Sequence, residues 1–490
     1  MKKILLTHSY FLRLDPKQWA TGKPYAPLGT LYAAAVLKEM GYEISFFDTM
    51  FSQGPEDFGK VIQSVRPDIV IIYDDGFNYL TKMCLENMRD AAFEMIRLTS
   101  RQGCTVVISS SDSTDRYEMY LNRGADFILM GEAEQTLREL MSNLEINSED
   151  YSAIAGISYK SNGVVLKTRP RLVLKDLDSL PFPAWEMIDM EPYRKSWLKH
   201  AGFFSMNMAT TRGCPFKCNW CAKPIYGNRY NSRSPGNVIS ELKMLKRDFA
   251  FDHIWFCDDI FGLKPGWVGE FASLAEQEKL GIKFKMQGRV DLLLQENYIR
   301  DLARAGCENI WMGAESGSQR ILDAMEKGTT VLQISEATRL LKKCGIRPSF
   351  FIQFGYLTET KEDIQKTIQM INELLPFEIG ISVSYPLPGT VFFEKVKQEL
   401  VQKTNWKDSD EMALMFRNTY QPAFYKRLHR YVHKSYRKHL AFEDVKILLS
   451  HPFRLNYYRL KRALSALYYI PAAFLDKQKL NLLENTAHGY

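Results

Sequence analysis

The sequence predicts an α/β protein with two successive parallel sheets and a helical C-terminal region. Five short apolar segments alternate with helical patterns over the first third of the chain, and a second alternation of strand and helix runs from about residue 205 to residue 395. Beyond residue 400 the pattern becomes helical and rich in basic residues. A chain of 490 residues is long enough for roughly two to four domains, each with its own core.

The first domain is predicted over residues 1–147 as a doubly wound, Rossmann-like sheet. Short strands separated by helices imply parallel strands covered on both faces, and such sheets bind ligands at the carboxyl ends of their strands. The predicted strands are residues 3–7, 43–48, 68–73, 105–109 and 126–130, and the predicted helices include residues 28–40, 79–99 and 133–144.

A linker that contains a β-hairpin is predicted over residues 148–200. The run ISYKSNGVVLK places Asn162 and Gly163 where a tight hairpin turn needs them. The segment LDSLPFPAW at residues 177–185 carries two prolines, and it is predicted to be an extended connector.

The second domain is predicted over residues 201–398 as a partial (β/α)6 barrel of the TIM type. The chemistry of such a barrel takes place at the carboxyl ends of its strands. The predicted strands are residues 205–211, 253–257, 283–288, 309–313, 348–354 and 380–385, with helices that include residues 236–246, 267–278 and 360–374.

Three cysteines lie in one short loop after the first strand of this barrel. Cys214, Cys218 and Cys221 stand in the run TRGCPFKCNWCAKP, with the spacing C-x3-C-x2-C. Gly213 and Pro215 are typical of a loop. Ferredoxin-type clusters and structural zinc sites both use four protein ligands, and the next cysteine is Cys257. Three thiolates can instead hold three irons of a 4Fe–4S cluster and leave the fourth iron open. Zinc binding or inert thiols are the alternatives.

This cysteine spacing resembles the signature of the radical S-adenosylmethionine (radical SAM) enzymes. The resemblance implies that the open iron binds the amino and carboxylate groups of SAM. It also implies that one electron from the cluster splits SAM into methionine and a 5′-deoxyadenosyl radical. The remaining thiols, Cys257, Cys307 and Cys344, show no spacing that would build a second cluster and are interpreted as core residues.

Polar residues follow four further barrel strands in the order seen in radical SAM enzymes that carry a cobalamin-binding domain. An acidic strand end can accept the ammonium of SAM, an arginine can clamp its carboxylate, and a later carboxylate can bind its ribose hydroxyls. A backbone turn after the sixth strand can contact adenine. The resemblance covers roughly residues 1–395. The predicted SAM contacts are Asp258, Asp259, Gln287, Arg289, Glu315, Ser316, Pro388 and Gly389.

Two motifs of the first domain resemble the cobalamin-binding domain of that family. They are PYAPLGTLYAAAVLKEMGYEISFFD at residues 24–48 and GADFILMGEAEQTLREL at residues 124–140. The GEAE run can also be read as a simple helix cap. The motif D-x-H-x-x-G is absent, so we expect no histidine on cobalt and interpret His8 as a surface or structural residue. A serine-rich run replaces the usual turn after the fourth strand. The predicted cobalamin contacts are Pro27, Leu28, Gly29, Ser110, Ser111, Gly131, Glu132 and Glu134.

The C-terminal region, residues 399–490, is predicted to be helical and basic. Residues 424–440 read FYKRLHRYVHKSYRKHL, and the piece 463–474 is apolar. A solvated helical cap is one interpretation, and peripheral contact with an anionic membrane surface is the other. The chain has no apolar stretch of about 18 residues and no signal peptide, so a reducing, cytoplasmic location is expected. A net charge of +7 is mild, and no nucleic acid is expected as a partner.

The sequence therefore predicts a cobalamin-dependent radical SAM enzyme that functionalises an unactivated carbon, most simply as a C-methyltransferase. The cofactors would be a 4Fe–4S cluster, S-adenosyl-L-methionine and cobalamin, with flavodoxin or ferredoxin as electron donor. The alternative is a cyclase or rearrangement enzyme acting on a lipid, a polyketide or a tetrapyrrole. A methylthiotransferase would need three more N-terminal cysteines, and the first domain offers only Cys84 and Cys104. A non-enzymatic corrinoid or Fe–S protein is the remaining alternative. The substrate itself is not predicted, although Trp220, Tyr226, Phe261 and Trp311 are candidate barrel-lining aromatics.

Overall fold

Two β-sheets form the frame of the protein, and the residues that follow their strands meet between the two sheets. The computed structural model describes residues 2–83, 85–221, 226–401, 403–450 and 456–485. The first sheet contains β1 (Ile4–Thr7), β2 (Ile44–Phe47), β3 (Ile69–Tyr73), β4 (Thr105–Ser109), β5 (Phe127–Leu129), β6 (Ile157–Ser161) and β7 (Val164–Lys167).

The first five strands are parallel and run in the order β2-β1-β3-β4-β5. This is a doubly wound arrangement, so the predicted fold of the first domain is confirmed. Strand β3 reads IVIIY and is buried throughout, as expected of a strand covered on both faces. The accompanying helices are α1 (Pro16–Thr21), α2 (Leu28–Glu39), α3 (Pro55–Val65), α4 (Tyr79–Lys82), α5 (Glu86–Ser100), α6 (Ser111–Asp115), α7 (Tyr117–Asn122) and α8 (Glu134–Glu145).

The predicted hairpin forms, and it extends the first sheet. Strand β6 pairs with β5 in antiparallel register, with Phe127 opposite Tyr159, and β7 forms the outer edge. The turn holds Asn162 and Gly163 at positive φ, as a tight turn requires. The predicted limits of the domains, at residues 147, 200 and 398, stay predictions.

The helix predicted over residues 79–99 is wrong as a single element. Leu85 is extended (φ −63°, ψ 139°) and separates α4 from α5. The amide of Glu86 donates to the carbonyl of Trp406 at 2.7 Å, and that of Asn87 donates to the carbonyl of Lys407 at 3.2 Å. The first turn of α5 is therefore capped by a segment more than 300 residues away, which local sequence patterns cannot reveal.

The second sheet is a six-stranded, all-parallel, open barrel in the order β15-β14-β13-β12-β11-β8, which confirms the predicted half-barrel. The strand predicted over residues 205–211 ends earlier, at Met208. Its continuation pairs in a separate two-stranded ribbon. The strands are β8 (Ser205–Met208), β9 (Thr211–Arg212), β10 (Asn231–Ser232), β11 (His253–Phe256), β12 (Phe284–Gly288), β13 (Cys307–Glu315), β14 (Arg347–Phe354) and β15 (Ile379–Val383). The helices are α9 (Glu191–Ala201), which precedes the barrel, α10 (Pro235–Phe249), α11 (Trp267–Gln277), α12 (Glu296–Arg304), α13 (Gln319–Ala324), α14 (Val331–Lys343), α15 (Lys361–Leu374) and α16 (Val391–Val396).

The connector between the sheets is held to both of them. The amide of Ala184 donates to the carbonyl of Leu31 in α2, and the indole N–H of Trp185 donates to Glu241 in α10 at 3.1 Å. The connector is not uniformly extended, because single 3-10 turns form at Leu177–Ser179 and Trp185–Met187.

The C-terminal region is helical, as predicted, and packs beside the barrel. It consists of α17 (Pro422–Ser450), α18 (Tyr457–Leu464) and α19 (Ala466–Asn485), with α18 and α19 lying against α17. Within the described ranges, no helix is both long enough and apolar enough to cross a bilayer.

Candidate active site between the facing strand ends

The cysteine loop leaves the barrel directly after β9. Cys214 is buried, while Cys218 and Cys221 are half-buried, and none of the three forms a disulfide. Gly213 has a φ of +81°, and a Cβ at this position would lie 2.1 Å from the carbonyl oxygen of Arg229. Only glycine fits this close approach of two backbone segments. The loop therefore folds back on itself at the residue before the first cysteine.

Asn219, inside the cysteine loop, ties this loop to the far side of the barrel. Its amide donates to the carbonyl of Met325 at 3.2 Å, and its side-chain NH2 donates to the carbonyl of Ala324 at 2.9 Å. Its side-chain oxygen accepts from the hydroxyl of Tyr356 at 2.9 Å, and its carbonyl accepts from the amide of Phe392 at 2.9 Å. A residue bonded through both its backbone and its side chain positions the loop.

The two aspartates after β11 already have protein partners. Asp258 accepts from the amide and hydroxyl of Thr210 and from the amide of Thr211, each at 2.7 Å. Burial raises the pKa of Asp258 to about 6. Asp259 pairs with Lys82 of α4 at 2.9 Å. Asp258 thus holds the turn that leads into the cysteine loop, and Asp259 joins the two sheets.

Arg289 lies against the cysteine loop. One guanidinium N–H approaches the sulfur of Cys218 at 3.7 Å, a second donates to the carbonyl of Lys327 at 3.0 Å, and Nε donates to Asp291 at 3.0 Å. The ring of Phe216 lies 3.6 Å from the guanidinium carbon. Arg289 therefore presents a planar donor beside a candidate cluster ligand, where an N–H···S contact would affect the potential of a bound cluster.

Glu315 closes the end of β13 in a strained conformation. Its φ is +58°, unusual for a non-glycine residue, and the β13–β14 register shifts between Gly313 and Glu315. Its carboxylate accepts from Lys327 at 2.8 Å. Burial alone would lower the pKa of Lys327, but Glu315 and Cys218 raise it above its ordinary value. A Cβ on Gly313 would lie 2.5 Å from both charged groups, so this glycine makes room for the pair.

The other predicted SAM contacts lie at the same end of the barrel. Gln287 is half-buried near the carboxyl end of β12. The hydroxyl of Ser316 is fully buried against Thr367 of α15 at 3.1 Å. Pro388 and Gly389 follow β15, with Gly389 exposed at φ +78°.

The carboxyl edge of the first sheet carries the residues predicted for cobalamin. The amide of Gly29, next to Pro27 and Leu28, donates to Asp75 at 3.0 Å. Ser110 caps α6 in a reciprocal bond with Ser113, and Ser111 begins that helix. Gly131 has a φ of +70°. These positions put backbone and small side chains at the edge.

His8 is structural, which agrees with one of the two predicted roles. It is buried, and its imidazole bonds to Asp48 at 2.8 Å and to the hydroxyl of Thr49.

Glu132 and Glu134 do not point outward as a simple cap would; they bind Arg212 of β9. The guanidinium donates to both carboxylates, at 2.7 Å for Glu134, and all three side chains are buried. The guanidinium carbon also lies 5.2 Å from the ring of Tyr226 and 5.6 Å from that of Phe77. Arg212 is only two residues before Cys214, so the GEAE motif of the first sheet holds the cysteine loop of the second.

The donor sets at the two edges differ in how well they fit cofactors. Three thiols on one loop, with Arg289 and Lys327 beside them, suit an anionic iron–sulfur cluster. Among the described residues, however, no three Cys, His, Asp or Glu side chains converge as a bound metal would require. At the first sheet, Gly29, Ser110, Ser111 and Gly131 place small residues at the edge, whereas the carboxylates of Glu132 and Glu134 are already bound to Arg212.

Sequence reasoning missed four residues that organise the site: Lys82, Arg212, Asn219 and Lys327. Each binds a residue that is distant in the sequence, and the sequence motifs do not show this pairing. For Arg212 and Asn219 a signal was present, because both lie inside the cysteine run. The prediction that Phe261 lines the barrel is wrong, because this residue is buried in the outer helix layer with Trp267 and Phe271.

The chain is similar to known proteins over most of its length. Residues 208–371 match the Radical SAM superfamily. An uncharacterized methyltransferase of Pyrococcus horikoshii is 28% identical over 387 residues, covering 78% of this chain and 81% of the relative. The anaerobic magnesium-protoporphyrin IX monomethyl ester cyclase of Rubrivivax gelatinosus is 26% identical, and the match covers 76% of this chain and 66% of that enzyme. The structure of the cobalamin-dependent S-adenosylmethionine radical enzyme OxsB with aqua-cobalamin bound superposes with a TM-score of 0.72 at 17% identity, covering 97% of this chain and 72% of that one.

A half-barrel that carries the cysteine loop after its first strand, together with this match, defines the class of this part of the chain: residues 208–371 form a radical SAM domain. The doubly wound sheet ahead of this barrel gives the chain the overall fold of the cobalamin-dependent S-adenosylmethionine radical enzyme OxsB. The predictions of family and fold class are confirmed at this level.

Proposed function

We propose that the protein is a cobalamin-dependent radical SAM enzyme that functionalises an unactivated carbon of a small molecule, by transfer of a methyl group. The observation that carries this proposal is the pair of facing carboxyl edges joined by Arg212, Glu132 and Glu134. A cofactor on the first sheet and one on the cysteine loop would then be held at a fixed distance from each other. Similarity to an uncharacterized methyltransferase over 78% of the chain supports the reaction class.

The cysteine loop and its neighbours would hold and shield the iron–sulfur cluster and SAM. Cys214, Cys218 and Cys221 would supply the thiolate ligands. Arg289 would donate hydrogen bonds to the sulfur of Cys218 and to the SAM carboxylate. When bound, the cluster, SAM and cobalamin supply the radical chemistry and the methyl group.

Aromatic and charged side chains lie between the two sheets and join them. Phe77 of the first domain stacks on Tyr226 of the second, with 5.5 Å between the ring centroids, and Arg212 lies beside both rings. Lys82 bridges to Asp259 on the opposite side. Together these contacts fix one sheet against the other, which precise transfer between two cofactors requires.

A cyclase is the second candidate function, because the cyclase of Rubrivivax gelatinosus is 26% identical over 385 residues. The two candidates differ in their products. Methylation consumes a methyl group from SAM and yields S-adenosylhomocysteine as well as 5′-deoxyadenosine. A radical-only cyclisation yields 5′-deoxyadenosine without S-adenosylhomocysteine.

The test is the iron and corrinoid content after anaerobic purification from cells supplied with cobalamin. About four irons and about one corrinoid per chain are expected, as one cluster and one cobalamin require. The triple variant Cys214→Ala/Cys218→Ala/Cys221→Ala should lose iron and keep corrinoid, and Cys344→Ala should keep both. Iron without corrinoid would overturn the cobalamin half of the proposal, and corrinoid without iron would overturn the radical half.

We also propose that a flavodoxin or ferredoxin supplies the electron. The supporting feature is that Cys218 and Cys221 are only half-buried, which leaves a short path from the surface to a cluster. Reduced flavodoxin or ferredoxin in place of dithionite should support SAM cleavage. Failure of both, with dithionite active, would contradict this proposal.

Peripheral contact with an anionic membrane is proposed for the outer surface of α18 and α19. Helix α19 turns Ala466, Ala473, Asp476 and Leu480 toward the protein, and Asp476 pairs with Arg427 and Lys434 of α17, each at 2.7 Å. Several other bulky apolar residues of α18 and α19 face outward. Large exposed side chains are Tyr457, Tyr458, Leu464, Leu467, Tyr468, Phe474 and Leu475, each at least 57% exposed.

The charge of the same segment favours a lipid surface over other occupants. Residues 445–475 contain five Lys or Arg and no Asp or Glu. Basic residues mixed with tyrosines and large apolar side chains are typical of helices that lie in an anionic membrane interface. An exposed apolar patch of this extent marks an interaction site.

A further inference from the structure

The inner face of the barrel carries an unusual mixture of charge and aromatic rings. On its outer face, Phe256 of β11 and Phe284 of β12 pack on Phe271 of α11, with ring centroids 5.9 and 6.2 Å apart. Successive side chains of a strand point to opposite faces. The neighbours Trp255 and Lys285 therefore lie on the inner face, where a substrate would sit.

Lys285 is held among aromatic rings without a carboxylate partner. Its ammonium lies 5.4 Å from the ring centroid of Tyr25 and 5.5 Å from that of Trp255. Within the described ranges it forms no hydrogen bond or ion pair, and Glu378 acts on it only from a distance. Burial lowers the pKa of Lys285 to about 8.

The two other buried lysines of the site are fully paired. Lys82 bonds to Asp259 at 2.9 Å and Lys327 to Glu315 at 2.8 Å. A half-buried ammonium without a counter-charge is costly in a folded protein, unless a ligand supplies the charge. Lys285 differs from Lys82 and Lys327 in that it has no carboxylate partner among the residues that the structure describes, which makes it a candidate site for an anionic ligand.

Two aromatic residues lie two positions further along the strands than Lys285, toward the cysteine loop. Trp311 of β13 and Phe351 of β14 are 4.8 Å apart and tilted by 30°, and both are half-buried. Trp311 pairs in register with Gln287, two residues beyond Lys285 on β12. A Cβ on Gly380 would lie 3.1 Å from the Trp311 ring, so the glycine of β15 keeps this ring in place.

Two buried side-chain amide oxygens lie on the strands next to Lys285 and Trp255. Asn309 is in register with Lys285, and Asn207 is in register with Trp255. In the described part of the chain, the side-chain oxygens of both asparagines have no hydrogen-bond partner. Buried polar atoms are normally satisfied, so both are acceptors for donors on a ligand.

We propose that Lys285 anchors the substrate through an anionic group, a carboxylate or a phosphate, while a flat apolar body packs against Trp311 and Phe351. The four residue steps from Lys285 to Arg289 span about 13 Å of extended chain, so the reacting carbon lies about that far from the anionic group of the substrate. Hydroxyl or amine groups near the acid would donate to Asn207 and Asn309. The substrate role rests on the proposed function, but the anion site can be tested without it.

The experiment uses calorimetry on the holoprotein with SAM and no reductant. The probes are 2-naphthoate, 2-naphthyl phosphate and the neutral 2-naphthamide. At least one anion should bind about tenfold or more tightly than the amide, the gain of a charge-assisted bond. The tighter anion identifies the carboxylate or the phosphate as the preferred group. Lys285→Met should abolish the preference for the anion, and Trp311→Leu should weaken all three probes equally.

Lys283→Met is the matched control, because Lys283 precedes the same strand, is exposed, and already has a carboxylate partner in Glu308 at 3.2 Å. It should leave the preference unchanged. Any of three results would overturn the proposal. The original protein could bind the anions and the amide equally, it could bind none of the probes, or Lys285→Met could keep the preference for the anion.

Cleavage of SAM to 5′-deoxyadenosine under dithionite, without any probe, separates this inference from the proposed function. This measurement uses the original protein, and the control Lys283→Met should cleave SAM to the same extent, because Lys283 is exposed and lies outside the proposed site. An anion preference without cleavage would reject the proposed function and keep the anion site. Cleavage without an anion preference would do the reverse.

Discussion

Arg212 and Glu134 bind each other across the boundary between the two sheets, at 2.7 Å and with both side chains buried. Arg212 precedes the first cysteine of the loop by two residues, and Glu134 begins α8, which accompanies the first sheet. The position of the cysteine loop is therefore set by a residue next to the other sheet. Burial alone would lower the pKa of Arg212, but Glu134 and its neighbours raise it well above the ordinary value, so the guanidinium stays charged.

Arg212→Met should destabilise the protein by about 3–5 kcal/mol, because it leaves Glu132 and Glu134 buried without a counter-charge. Urea unfolding of the holoprotein would measure this free energy. The triple variant Arg212→Met/Glu132→Gln/Glu134→Gln should recover a large part of the loss, since no uncompensated charge stays behind. A loss that is equal in the two variants would show that the charges are not the cause.

Arg289→Lys should reduce the yield of 5′-deoxyadenosine by about tenfold to a hundredfold, because lysine cannot bond Cys218, Lys327 and Asp291 from one planar group. Product chromatography after reduction with dithionite measures the yield. Arg300→Lys is the control, since Arg300 is an exposed residue that pairs with Glu296 on the same helix. Unchanged cleavage in Arg289→Lys would remove Arg289 from the site.

Asp258 gives the protein a pH dependence of defined sign. Burial raises its pKa to about 6 in the folded chain. Its contribution to stability is therefore present below about pH 4, the range of the unfolded carboxyl, and is lost as the pH rises through 6. Asp258→Asn keeps acceptors for the amides of Thr210 and Thr211 but does not titrate. The free energy of unfolding of both proteins is measured from pH 4 to pH 7. As the pH rises, the original protein should lose stability relative to Asp258→Asn. A difference that does not vary with pH would contradict the buried, titrating carboxyl.

The sequence predicted well what local patterns control. Strand β4 occupies residues 105–109 as predicted, and helix α11 begins at Trp267 as predicted, because apolar runs and caps are local signals. Long-range packing was not predicted. The addition of β6 to the sheet edge and the cap that Trp406 provides for α5 join parts of the chain that no short window contains.

The candidate site divides in the same way. The cysteine spacing identified Cys214, Cys218 and Cys221, and a motif placed Arg289 at a strand end. The partners of these residues were not predicted. The predicted role of Glu132 at a cobalamin stays a prediction, and its ion pair with Arg212 was not foreseen, because a motif does not show which residues of another segment face it.

The exposed large apolar side chains of α18 and α19 predict that the protein binds vesicles with anionic lipids. Co-sedimentation with vesicles of phosphatidylcholine and about 30% phosphatidylserine should retain the protein, and pure phosphatidylcholine should retain much less, because the basic residues need anionic headgroups. The variant Tyr468→Ser/Phe474→Ser/Leu475→Ser should lose most of the binding while SAM cleavage is unchanged. The control is Leu332→Ser on α14, which removes a side chain that is 83% exposed on a different surface. Because these exposed residues would also suit contact between two copies of the chain, the mass in solution must be measured as well. A stable dimer that dissociates in the triple variant, with no vesicle binding by the original protein, would replace the membrane by a second copy as the occupant of this surface.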